Sequence, residues 1–214
     1  MPNFVSGGKT IHIQQLEPSG PGPFPAIVLL HGAGGNVSLW FDPIAPYLSR
    51  LGIALYAIHY FERTGTTHAD DTILRDGHHV PLWLETISDA LAYISARPKI
   101  DSRRIALLGI SLGAFLSLAF ASTAKNIRAI VEISGGLVPP YAAKATSSFP
   151  PTLILHGEAD TVVPVAQAHA LNTFLNQLGT PHQLQLFPAE GHWFSPGARL
   201  RIFASIAQFL GRYL

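Results

Sequence analysis

An α/β fold with a mainly parallel central sheet and helices on both faces is predicted for this sequence by three observations. Short, wholly apolar runs of strand length recur along the chain, as strands covered on both faces require. Longer segments with helical spacing separate these runs, and strand–helix alternation favours parallel pairing. The chain has 214 residues, 48% hydrophobic and 13% charged, which suits one domain over residues 1–214 with a sizeable core.

The runs occur in order. Asn3–Val5 and the alternating Ile11–Leu16 read as a hairpin turning at Ser6-Gly7-Gly8. Ala26–Leu30, Ile53–Ile58, Ile105–Leu108, Ala129–Val131 and Thr152–Leu155 are buried-strand candidates, and the more alternating Leu184–Phe187 belongs nearer an edge. Helices are expected over Leu39–Leu51, capped by Asn36 or Ser38, and over Leu82–Arg97, stopped by Pro98. Further helices are expected over Leu112–Ala124, Pro164–Leu178 and Arg199–Leu214. Phe61–Pro81, with four acids and three histidines, is a long polar loop of the kind that shapes binding sites. Gly135–Pro151 is too short for a large cap domain.

Composition excludes several classes. A net charge of +1 without Lys/Arg runs offers no field for nucleic acid or an anionic membrane. The absence of cysteine excludes disulfides, a thiolate zinc site and a thiol nucleophile. Met1–Gly8 lacks the layout of a signal peptide, so a cytoplasmic location is expected. Ile105–Ala124 is uncharged and long enough to span a membrane, but Gly109, Ser111 and Gly113 interrupt it. It reads better as a buried strand running into a buried helix.

The chemistry centres on Gly109-Ile-Ser-Leu-Gly113. A serine hydroxyl needs exposure and a base before it attacks, and a sharp strand-to-helix turn lifts it clear of the sheet. The base expected is His192, in Glu190-Gly-His-Trp-Phe194, just past the last strand. The acid that orients it is Asp160, in His156-Gly-Glu-Ala-Asp-Thr-Val-Val-Pro164. Glu158, earlier in that loop, and Glu132, inside an apolar strand, compete with Asp160 for the role. An oxyanion needs two donors, expected from the backbone amides of Leu112 and of Ala33 in His31-Gly-Ala-Gly-Gly35, with Gly32 beside the substrate. This glycine loop lacks dinucleotide and phosphate-loop spacing. His68, His78 and His79 with Asp70 and Asp71 form no tight metal-ligand motif, so neither metal nor cofactor is expected. Trp83 reads as packing, and Trp193 as a candidate pocket residue beside the base.

With these motifs the sequence resembles the dienelactone hydrolase family of the α/β-hydrolase fold, from about Phe24 to the end. The HGAGG, GISLG, HGEADTVVP and EGHWF segments carry the resemblance. It implies a compact domain acting on small esters or lactones without a cofactor. The triad falls on Ser111, Asp160 and His192, and the oxyanion amides on Ala33 and Leu112. Three departures stand out: Ser111 replaces the family's cysteine, Gly32 replaces an oxyanion-loop glutamate, and Pro196 replaces the second of two substrate-binding arginines. Arg63 lines up with the first.

The function expected is hydrolysis of a small carboxylic ester or lactone through an acyl-Ser111 intermediate. Peptidase or amidase activity on the same triad is one alternative. A non-catalytic binding protein on a hydrolase scaffold is another.

Overall fold

Each apolar run becomes a strand in the computed structural model of the chain, which describes residues 1–214. Two compact units are distinguished, Met1–Ile105 and Ala106–Leu214.

In the first unit, β1 (Asn3–Ser6) and β2 (Lys9–Leu16) pair antiparallel with Ser6 opposite Lys9, leaving Gly7-Gly8 as the turn. β3 is Phe24–Leu30 and β4 is Ala54–Ile58. β2 runs antiparallel to β4, which runs parallel to β3, giving the order β1-β2-β4-β3. The two parallel strands need a crossover, and α1 (Ser38–Arg50) supplies it, burying Trp40, Phe41, Ile44 and Leu48. The expected cap is partly there. Asn36 Oδ1 accepts from the Leu39 amide at 3.2 Å, while Val37, already helical in its dihedrals, holds the N-cap position before Ser38.

The stretch read as one long loop holds more order than its sequence announces. Tyr60–Arg63 forms a 3₁₀ turn, and α2 (Asp71–Arg75) is one short helix capped by the Asp70 carboxylate on the Ile73 amide. α3 (His79–Ser95) starts three residues before Leu82, because Asp76 Oδ1 accepts from the His78 and His79 amides. Trp83 is fully buried, packs on Tyr60 and Phe61, and donates to Thr64 Oγ1.

In the second unit β5 (Ile100–Ile110), which begins in the first, leads the order β5-β6-β7-β8, with every pair parallel. β6 is Ala129–Ile133, β7 Thr152–Gly157 and β8 His182–Phe187. α4 (Leu112–Ala121), α6 (Ala166–Leu178) and α7 (Pro196–Tyr213) follow β5, β7 and β8. Between β6 and β7 the chain makes only the four-residue α5 (Pro139–Ala142), so no cap domain intervenes there. No helix is long and apolar enough to cross a membrane.

Candidate active site

Ser111 stands between β5 and α4 with φ 54° and ψ −119°. A non-glycine residue there is strained, at a cost of about 1–3 kcal/mol, and persists only where its surroundings impose it. They do so here by backbone bonds. The Ser111 amide donates to the Ile133 carbonyl at 2.8 Å, and its carbonyl accepts from Ala114 and Phe115. The tight turn also needs Gly109. A β-carbon at that position would lie 2.2 Å from the Gly113 carbonyl oxygen and 2.5 Å from the Ala114 nitrogen. Backbone atoms cannot yield as a flexible side chain would. Gly109→Ala is therefore expected to destabilise the protein by about 2–3 kcal/mol or more, read as a lower urea midpoint at unchanged slope. An unchanged midpoint would refute the close approach.

His192 and Asp160 complete a constellation around the hydroxyl. His192 Nε2 lies 3.1 Å from Ser111 Oγ, and His192 Nδ1 lies 2.8 Å from Asp160 Oδ2. A carboxylate only accepts, so Nδ1 carries the proton and the Nε2 lone pair faces the serine. Burial pushes the Asp160 carboxyl up, but the His192 ring and the Val163 and Val162 amides outweigh it and hold it below its ordinary value. Those two amides donate to Oδ1, each at 2.8 Å. The acid is thus ionised and fixed through both oxygens.

The loops bearing acid and base are joined directly. The Glu158 amide donates to the Phe187 carbonyl, and the Ala159 amide to the Glu190 carbonyl. Glu190 accepts from the Ser195 amide and hydroxyl, and the Ser195 hydroxyl caps α7. His156, fully buried at the end of β7, donates from Nε2 to the Val163 carbonyl and braces the same turn. Burial lowers its pKa, so it is neutral. Sequence reasoning passed over His156, although an apolar run ending in histidine was a visible signal. Of the rival acids, Glu158 is exposed, and Glu132 is buried with Oε2 on the Gly135 amide. Neither bonds His192.

Leu112 is the first residue of α4, where a helix leaves amides without internal acceptors. Trp193 is 67% exposed and meets the His192 ring edge-on at 5.3 Å. Gly32, Ala33 and Arg63 belong to the first unit. There the Gly32 carbonyl accepts from the Gly35 amide and from His31 Nδ1, at 3.1 and 2.8 Å. Across a planar trans peptide the next N–H points the opposite way, so these bonds fix the direction of the Ala33 amide. His31 is itself clamped, stacked on Tyr60 at 4.1 Å, with the Tyr60 hydroxyl on its carbonyl. Burial lowers the His31 pKa to about 4, which keeps the ring neutral. The Arg63 guanidinium contacts the Gly7 carbonyl and Glu85 Oε2 at 3.5 and 3.4 Å, so a substrate carboxylate there would compete with Glu85. His79 bonds Asp76, and no group of three or more acids and histidines is placed to hold a metal.

The dienelactone hydrolase family model matches residues 12–201. The chain belongs to the dienelactone hydrolase family. Among curated relatives, acyl-coenzyme A thioesterase 5 of Mus musculus is 36% identical over 121 residues, 56% of this chain and 26% of that protein. The chain thus spans about a quarter of that relative's length. A dienelactone hydrolase-like promiscuous phosphotriesterase from metagenomic libraries superposes with a TM-score of 0.81 at 20% identity, covering 99% of this chain and 96% of that one. A puromycin-hydrolyzing peptidase from Mycobacterium tuberculosis gives a TM-score of 0.79 at 23% identity, over 97% of this chain and 38% of the other. These likenesses establish the α/β-hydrolase fold of this family member.

Proposed function

We propose that this family member is a serine hydrolase cleaving small carboxylic esters or lactones, acting in the cytoplasm as a single domain without a cofactor. The observation carrying the reading is the continuous line from Asp160 Oδ2 through His192 to Ser111 Oγ. His192 Nε2 takes the serine proton as Oγ attacks the carbonyl carbon. The negative charge on the carbonyl oxygen is met by the Leu112 amide at the start of α4. His192 then protonates the leaving alcohol and an acyl-serine forms. Water attacks the acyl carbon, His192 takes its proton, and the acid is released with Ser111 restored. Trp193 lines the approach to the base.

A thioester substrate is the second reading, favoured by the acyl-coenzyme A thioesterase relatives at 31–36% identity. The same acyl-serine forms from it, with a thiol leaving in place of an alcohol. The deciding measurement is kcat/KM on p-nitrophenyl esters, acyl-coenzyme A thioesters and aminoacyl amides of matched acyl group. Esters are expected to lead. A lead by thioesters moves the assignment to the second reading, and a lead by amides moves it to a peptidase. No turnover of any of them, with no labelling of Ser111 by a fluorophosphonate, would leave a binding protein.

A further inference from the structure

Glu132 lies within β6 and is fully buried. Its strand partners are Gly109 on β5 and Ile154 on β7, so it shares the sheet face on which Gly109 meets the start of α4. A β-carbon on Gly135 would lie 3.0 Å from Glu132 Oε2 and 2.4 Å from the Ala114 β-carbon. The carboxyl, the turn after β6 and the first turn of α4 therefore meet at one place. Oε2 accepts from the Gly135 amide at 2.8 Å, and buried Oε1 has no partner. Between them Ser134 adopts φ 53°, and Ile133 accepts the Ser111 amide.

No charged group answers this carboxyl. β5 presents Gly109, and α4 has no ionisable residue. β7 presents Ile154, then His156, which is neutral and committed to Val163. The buried side chains of α7 are all apolar. Burial raises the Glu132 pKa to about 8, against the opposing pull of the Gly135 amide. An unpaired buried acid costs stability, so its place under the nucleophile calls for a role.

We infer that Glu132 is a positioning residue for the nucleophile: its Oε2 fastens the Ile133–Gly135 turn that holds the Ser111 amide, and a change of charge on the carboxyl shifts that turn. The inference rests on Ser111 being the nucleophile. Ionisation strengthens the pull on the Gly135 amide and sets a charge that no cationic side chain answers beside the first turn of α4, and the Ser111 backbone moves with the turn.

Two measurements test it. With a p-nitrophenyl ester, wild-type kcat is expected to fall about threefold or more from neutral pH to about pH 9, while Glu132→Gln, an uncharged near-isostere, holds its rate. Parallel falls, or no wild-type fall, would overturn the inference. Without substrate, the wild-type amide resonances of Ser111 and Gly135 are expected to titrate together near pH 8 and to stay fixed in the glutamine variant. Static wild-type amides, or a midpoint in the ordinary carboxylate range, would also overturn it. If no ester is turned over, the proposed function fails while the amide titration still decides this point. If the variant does not fold, the wild-type titration decides it.

Discussion

Ser111→Ala is expected to lower kcat/KM for a small ester by about 10³-fold or more, a loss of at least ~4 kcal/mol of transition-state stabilisation. The change removes one oxygen, whose hydrogen-bond partner is His192 Nε2. The strained backbone at this position is held by the Ile133, Ala114 and Phe115 bonds, none of which uses the side chain. Folding should therefore survive, and the thermal midpoint should move little. The loss should fall on kcat, because the proposed attack uses the hydroxyl in bond making rather than in binding. Undiminished turnover by the purified variant would remove Ser111 from the mechanism and take the proposed acyl-serine with it.

Asp160→Asn should cost about 10⁴-fold in kcat, through tautomer choice. The Val162 and Val163 amides both point at Oδ1. An asparagine must turn its oxygen to those donors, which leaves its NH₂ facing His192 Nδ1. The imidazole then places its proton on Nε2, where it can no longer accept from Ser111. Flipping the amide to rescue the base would set an NH₂ against two N–H groups. A kcat within tenfold of wild type, by steady-state kinetics, would show that Asp160 does not select the tautomer. Stability gives a second check. The Asp160 pKa lies below its unfolded value, so its interactions stabilise the fold above the unfolded carboxylate range, and that support fades as pH falls through the folded value. The asparagine variant should lose this part of the acid dependence.

The fold was legible wherever a strand is buried on both faces, since such strands are spelled by apolar runs, as in Ala26–Leu30 and Thr152–Leu155. It was less legible where side chains extend an element. β5 begins at Ile100 rather than Ile105, through a polar stretch in which Asp101 takes up Arg103 and Arg104. Within Phe61–Pro81 the 3₁₀ turn and α2 are too short to show a period. The candidate triad could be read because each member sits just past a strand in a local motif. The surroundings of Glu132 could not, since they arise from register: its position opposite Gly109 is a property of strand pairing that no local spacing records. The roles of Val162 and Val163 were hidden for a related reason, since they act through their backbone and carry no side-chain signature.

The direct bonds between the Asp160 and His192 loops have a mechanical consequence. With Glu158 tied to Phe187, Ala159 to Glu190 and the carboxylate to the ring, a shift of one loop is passed to the other through three bonds. The contact with the Ser111 hydroxyl, at 3.1 Å, is the longer of the two bonds made by the imidazole. A substitution that displaces either loop is therefore expected to disturb the acid and the base together.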